Sequence, residues 1–410
     1  MAINNLSFLG NYNFDSSAFN VALSNNVAYI AGDNGLLLLN ISNPSKPVRL
    51  GLFAANYVTD VAVAGNTAWI TSESEGVKVV NVANASTPSL LGSYSAVGNA
   101  QSIVLAGNIA YVCDWENGLL LLNMQNTGNI QKLGSLTIQH AKNVVLAKNN
   151  TLALVVSDSS TLILIDVSNP AAPKQLSSMS LGTDVREVAV LNDNTVVVAA
   201  GVSGLNVINI SDITKPTLLS TFTDISSANA VSIIDNRALV ADGDKGLTFV
   251  DLTTPSKPTL IEHSAISSGS SVEVVASNNV AYLINTVGDT QTLQTLTIPE
   301  PTKYKLSVNS PTVNEGDAGQ TNLTFTLTLS QTMQQSGSLD YALQSSTATA
   351  GADFTTTSGS VQFNTGETSK TITVPVLGDT TIENDEIFNL VLSNPRNLEF
   401  SNGSTSLTTA

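Results

Sequence analysis

The sequence predicts an all-β chain, a ring of small sheets followed by a sandwich, on three observations. Residues 15 to 298 repeat every 40 to 43 residues, seven times over. No stretch shows the 3.6-residue apolar period of a helix. After a short polar segment at 299–303 the repeat gives way to apolar–polar alternation. A fixed period of this length with several short strands per unit is the signature of a β-propeller.

The repeat is most visible as an apolar triplet: Ala28-Tyr29-Ile30, Ala68-Trp69-Ile70, Ala110-Tyr111-Val112, Ala153-Leu154-Val155, Val196-Val197-Val198, Ala238-Leu239-Val240 and Ala281-Tyr282-Leu283. A polar turn follows, then an apolar run led by Gly35, Gly76, Gly118, Gly204 or Gly246; repeats four and seven lack this glycine. A proline-marked loop often closes the unit, as at Pro44, Pro88, Pro170, Pro216 and Pro255. Each unit reads as four strands, in repeat two Val61 to Ala64, Thr67 to Thr71, Gly76 to Val82 and Ser89 to Tyr94. Many are apolar at successive positions, as expected for strands covered on both faces by neighbouring blades.

The two ends of the repeat region complement each other. Leu6-Ser-Phe-Leu-Gly10-Asn-Tyr12 matches the blade-ending Leu50-Gly-Leu-Phe53 and Leu91-Gly-Ser-Tyr94, while the last unit stops after its third strand, Leu293 to Ile298. The expectation is a seven-bladed propeller over residues 1–298, closed by an outer strand from residues 5 to 13 that removes an open sheet edge. The Asn-X-Ser/Thr triplets at Asn40 and Asn209 share one place in the repeat and are assigned to repeat chemistry.

The runs Leu37-Leu-Leu-Asn40-Ile, Leu162-Ile-Leu-Ile-Asp166-Val and Val207-Ile-Asn209-Ile, with Ser42-Asn-Pro-Ser-Lys-Pro47 and Ser168-Asn-Pro-Ala-Ala-Pro173, resemble the LVIVD family of bacterial propellers. The resemblance covers roughly the first 300 residues. It implies the fold and no shared catalytic signature.

Composition narrows the function. The formal charge is −16 and the sequence pI about 4.3, which argues against nucleic acid and anionic lipid as partners. Charged residues make up only 12% of the chain, so Ser, Thr, Asn and Gln must cover much of the surface, as in many proteins outside cells. The single Cys113 ends an apolar strand and is read as a small buried hydrophobe. No run of 18 apolar residues is present, and Met1-Ala-Ile-Asn-Asn-Leu6 lacks the features of a signal peptide. An extracellular or cell-surface location, with the export signal elsewhere in a longer chain, is the expectation.

Beyond the linker at 299–303, Leu323-Thr-Phe-Thr-Leu-Thr-Leu329 and Lys370-Thr-Ile-Thr-Val-Pro-Val376 alternate as half-exposed strands of a β-sandwich do. Four stretches closely resemble the Calx-β domain: Val313-Asn-Glu315-Gly316; Thr347-Ala-Thr-Ala-Gly-Ala-Asp353-Phe354; Gly359 to Ile372; and Asp379-Thr-Thr-Ile-Glu383-Asn-Asp-Glu386-Ile-Phe388 through Pro395. The resemblance implies an immunoglobulin-like sandwich over residues 304–410 and calcium as its cofactor, with Glu315, Asp353, Asp379, Glu383 and Glu386 as ligands. Ten acidic against three basic residues in this stretch give a net −7, consistent with such a site. Gly378 stands where better calcium binders of the family carry an Asp, and the chain stops at Ser404-Thr-Ser-Leu-Thr-Thr-Ala410 without the acidic cluster that completes the site. A truncated domain with weak affinity, roughly 10⁻⁴ to 10⁻³ M, is therefore expected.

In the propeller, loops between second and third strands carry Asp33, Glu73, Glu75, Asp114, Trp115, Glu116, Asp158, Asp242, Asp244 and Asp289. Loops entering the first strands add Tyr57, Asp60, His140, Asp184, Arg186, Glu187 and Asp224. Both sets belong on one acidic face, opposite the proline loops with Lys46, Lys132, Lys174, Lys215 and Lys257. Tyr57, Asp114, Trp115 and Asp242 are the candidates for contact with a protein or glycan ligand. With two histidines and no nucleophile elbow, Walker loop or metal-spaced His pair, no catalytic residues are assigned. The expected function is a non-enzymatic surface or adhesion protein. The alternatives are a carbohydrate-binding propeller with structural calcium and a hydrolase at the acidic channel, which turnover lost on mutating Asp114 or Asp242 would favour.

Overall fold

The structure, a computed structural model, describes residues 6–402 and 407–409 except 96–97, 159, 183, 265–268, 289, 300–303, 334–335 and 365. Backbone contacts divide the chain into two compact units, 1–299 and 300–410. The linker positions 300–303 and the face residue Asp289 lie outside the described residues.

In the first unit the described residues form seven four-stranded sheets. Blade two is typical, with antiparallel strands Val58–Ala64, Thr67–Ser72, Gly76–Asn81 and Ser89–Tyr94. The first strand starts three residues earlier than the apolar pattern suggests, because its paired opening, Val58 to Asp60, contains a bulge. The first strand of each blade lies beside its counterpart in the next, and that of blade seven, Ser270–Ser277, returns to Ala18–Ser24 of blade one. The ring is therefore closed. Ser7–Asn13 completes the seventh sheet antiparallel to Thr290–Thr297, with Ser7 opposite Thr297 and Asn13 opposite Thr292. The flanking Leu6 and Phe14 are buried, so the latch is held by packing as well as by its ladder.

The unbroken apolar runs have the expected cause. Every residue of Leu152–Ser157 and of Thr195–Ala199 is buried, because each blade packs on two neighbours. Between blades two and three, for instance, Trp69, Val77 and Val79 meet Ile103, Ala110 and Val112. Cys113 belongs to the next such layer, fully buried as a small hydrophobe.

Local sequence sets the turns. The first hairpins turn on left-handed residues, Asn25-Asn26 (φ 49° and 60°) and Asn278-Asn279 (48° and 58°) among them, the backbone that two-residue hairpins favour. Asn40, Asn81, Asn123, Asp166, Asn209 and Asp251 each accept the backbone N–H two residues on, so the Asn or Asp ending the third strand turns the chain. This is the repeat chemistry expected of Asn40 and Asn209. The outer-strand glycines Gly10, Gly51, Gly92 and Gly134 serve the blade interface. A Cβ on any of them would overlap the backbone of the next blade's loop between third and fourth strands. Blades four and five carry serine there, and Ser177 and Ser220 Oγ instead donate to the loop carbonyls of Ile213 (2.6 Å) and Pro255 (2.7 Å).

The second unit is a sandwich of two four-stranded sheets. One contains Tyr304–Val308, Gly319–Leu329, Ser369–Gly378 and Leu398–Phe400; the other Gly337–Ser345, Ser358–Phe363, Phe388–Arg396 and Leu407–Thr409. Leu323, Phe325, Leu327 and Leu329 point inward while the intervening threonines face outward, the period-2 pattern of a half-covered strand.

Candidate metal centre and ligand face

The acidic loops of the sandwich are positioned by aromatic side chains beside them in sequence. Phe354, fully buried, follows Asp353, and Phe388 follows Glu386 by two residues. Their rings stack at 4.4 Å, and Phe325 closes on Phe388 edge-on at 6.1 Å. The backbone tightens the arrangement: Leu377 N donates to Asp353 O (2.8 Å), Ala348 N to Ile387 O (2.9 Å), and Ile387 N to Thr347 Oγ1 (2.7 Å). One end of the core thus holds two acidic loops in register.

Carboxylate oxygens of Asp353, Glu383 and Glu386 lie within 4.8 Å of one another. Oxygens that each sit about 2.3–2.6 Å from one calcium ion can be no farther apart than about 5 Å, so this spacing fits a shared cation. Local desolvation, then the charges of Asp353, Asp379 and Glu315, raises Glu383 above its ordinary value. Glu386 is raised by desolvation, by its hydrogen bond with Asp353, and by the charges of Asp353, Glu383 and Glu315. Three of the five expected ligands therefore converge, and the other two act on them through space. Asp379 Oδ1 meanwhile accepts Thr381 N at 2.6 Å, and the Glu315 carbonyl accepts Thr321 Oγ1 at 3.1 Å. Hard carboxylate oxygens without nitrogen or sulfur suit calcium better than a softer ion. Gly378 has its own reason to be glycine: a Cβ there would lie 2.5 Å from the Gly316 carbonyl oxygen, so an aspartate could not enter without moving that loop.

In the propeller the structure separates the four expected ligand-face residues into two pairs. Tyr57 is 43% exposed and packs on Phe19 with ring centroids 4.7 Å apart. Desolvation and the charges of Glu73 and Asp33 raise its phenol. Trp115, half-buried, stacks on exposed His140 at 4.6 Å. Tyr57 (φ 46°) and His140 (φ 54°) both take the left-handed conformation just before a first strand, and their N–H groups donate to Asp33 O (3.1 Å) and Trp115 O (2.9 Å). The repeat thus presents an aromatic pair twice by the same backbone device.

Asp114 and Asp242 correct the expectation. Both are fully buried, and their oxygens are taken by turn and neighbouring-strand groups. Asp114 accepts Glu116 N, Asn117 N, Asn117 Nδ2 and Asn99 N. Asp242 accepts Ser226 N, Ser227 N, Ser226 Oγ and Thr248 Oγ1. Sequence shows an acid after a strand in both cases, and only burial shows that the acid turns inward. Asp60 and Glu187 likewise sit within first strands, not in the loops.

A relay missed in the sequence runs Asp242–Thr248–His263–Asp224. Thr248 Oγ1 lies 2.8 Å from His263 Nδ1, and His263 Nε2 lies 3.2 Å from Asp224 Oδ2. Thr248 is wholly buried and its hydroxyl is 2.6 Å from Asp242 Oδ2, so a substrate carbonyl has no approach to it. The relay fastens the third and fourth strands of blade six; the separation of its members in sequence hid it.

Comparison with known proteins agrees with this architecture. The LVIVD repeat profile matches residues 15–54, 55–96, 97–126, 147–180, 182–224 and 226–264, more than half of the chain, and the Calx-beta domain profile matches 300–409. No curated protein sequence matches the chain. Among solved structures, the β-propeller domain of Myceliophteria thermophila Cps50 (Swd1) superposes with a TM-score of 0.57 at 9% identity, covering 72% of this chain and all of that one. Saccharomyces cerevisiae Sqt1 gives 0.55 at 13% identity, with 79% and 96% covered. The computationally designed Ika8 protein gives 0.52 at 13%, with 70% and 99% covered. At such identities the likeness is one of fold.

Proposed function

From the premise that this chain belongs to the LVIVD-repeat family and carries a Calx-beta domain behind its repeats, we propose that it is a non-enzymatic binding protein of the cell exterior. Its sandwich would hold calcium and its propeller would present the recognition face. The observation that carries the calcium half is the convergence of Asp353, Glu383 and Glu386. Crowded acids without a cation repel, so an ion there would draw the two acidic loops together and stiffen the module. A site of so few protein ligands, completed by water, belongs to the weak extracellular range of about 10⁻⁴ to 10⁻³ M, which suits calcium-rich surroundings outside the cell.

The recognition half is supported by the Phe19–Tyr57 and Trp115–His140 pairs, flat half-exposed surfaces on the face that also bears Glu73 and Glu116. Aromatic planes of this kind also suit sugar rings, which favours a glycan as the second reading of the ligand. A glycan array and a protein pull-down with wild type and Tyr57→Ala separate the two. For calcium, melting of the full chain should rise with added calcium in the wild type and stay unchanged in Glu383→Gln/Glu386→Gln. An equal rise in both would remove the proposed site.

A further inference from the structure

The first strands of blades two, five and seven carry a carboxylic acid at one shared register: Asp60 opposite Thr71, Glu187 opposite Ala199, and Glu273 opposite Ile284. The other four blades place Asn20, Ser102, Asn143 and Ala230 there. Two of the acids fasten neighbouring blades. Asp60 Oδ2 accepts Ile103 N of blade three at 2.8 Å, and Glu187 Oε2 accepts Val231 N of blade six at 2.7 Å. Asn143 does the same for Val188 N of blade five at 3.3 Å, so a neutral acceptor suffices for the bond. The charge must have another consequence.

Nothing on the described residues compensates it. Lys142 and Arg186, just before Asn143 and Glu187 in sequence, pair with Asp158 (2.9 Å) and Asp184 (2.7 Å) instead. Cys113 stands near Asp60, its thiol pushed well up by burial and by the charges of Asp60 and Asp114. Burial lifts Asp60 to about 6 against the hydrogen bonds from Ile103, Val61 and Ser102. Glu187 is lifted to about 8 by burial, with the charge of Asp60 adding to it. Burial, then the charges of Glu187 and Asp60, lifts Glu273 well above the usual carboxyl range. The three acids feel one another around the ring.

We propose that Asp60, Glu187 and Glu273 form a proton-linked fastener of the propeller ring, each protonated while the blades are closed and loosening the blade interfaces when all three ionise. Each acid binds its proton more tightly in the closed ring than in the unfolded chain. The stability this confers is complete below the ordinary carboxyl values of 3.8 and 4.5 and is lost as pH rises through about 6 and about 8.

Thermal unfolding of the full chain in chelator, from about pH 5 to about pH 9, tests this. The propeller transition of the wild type should fall with rising pH, and Glu273→Gln should flatten that fall and melt above the wild type at the alkaline end. A wild-type slope in Glu273→Gln, or a lower alkaline melting point, would overturn the proposal. Infrared spectroscopy of the wild type needs no folded variant. At neutral pH it should show the carbonyl stretch of a protonated carboxylic acid, and Glu383→Gln/Glu386→Gln should retain it. Its absence, or its loss with the sandwich acids, would equally overturn the proposal.

Discussion

In the ring, Asp60, Glu187 and Glu273 sit within strands, the first two bonded to the next blade; in the sandwich, Asp379, Glu383 and Glu386 stand exposed on loops around Asp353. Desolvation raises carboxyl values in both places, with like charges adding for all but Asp60, but the groups that relieve it differ. Asp60 and Glu187 can turn to backbone N–H donors of the next blade, and the ring acids to protons, on first strands that pack beside one another. The sandwich acids face water, where a cation can reach them and draw several oxygens at once. Similar residues thus serve as a proposed fastener in one unit and a candidate metal centre in the other. The difference lies in whether the element carrying them is a strand within the ring or an open loop.

The largest test of that contrast is to open the ring. Deleting residues 1–14 removes the latch strand with buried Leu6 and Phe14, a loss of at least about 5 kcal/mol from two core side chains. The propeller transition should drop by on the order of 10 °C or more, with the sandwich transition unmoved. Next comes Asp114→Ala, which orphans the N–H groups of Asn99, Glu116 and Asn117 and should destabilise the propeller by about 2–4 kcal/mol. Asp114→Asn, keeping an acceptor, should lose less in the same denaturant titration.

Smaller effects sharpen the sandwich side. Because Glu383 and Glu386 are raised above the ordinary carboxyl value, protons compete with the ion, and calcium affinity should fall as pH drops into the carboxyl range. Calorimetry at two pH values reads this directly; a pH-independent affinity would place the ion elsewhere. Smallest in stability, Tyr57→Ala should shift the melting point little, by about 1 kcal/mol or less for a half-exposed side chain. It should nonetheless weaken binding of whatever ligand a screen identifies.

The ring was legible in sequence because its period, its Asn turns and its outer-strand glycines are each imposed by backbone geometry repeated blade after blade. The matching of Leu6–Tyr12 to other blade ends located the closing strand for the same reason. The direction in which an acid points was not legible. Asp114 and Asp242 stand at strand ends, next to the turn that Asp33 opens in blade one, yet they fold back to satisfy turn N–H groups, and that depends on the donors nearby in space. In the sandwich, Phe354 and Phe388 beside Asp353 and Glu386 were the available clue that those loops are anchored. The pairing of Thr248 with His263 joins two strands and leaves no mark in spacing.

The contrast between strand-borne and loop-borne acids is tested most directly by titrating calcium into the full chain in a calorimeter, comparing wild type, Glu273→Gln and Glu383→Gln/Glu386→Gln. Equal weak binding, at roughly 10⁻⁴ to 10⁻³ M, in wild type and Glu273→Gln, with none in the double variant, is the predicted result. Binding that survives in the double variant, or disappears with Glu273→Gln, would contradict it.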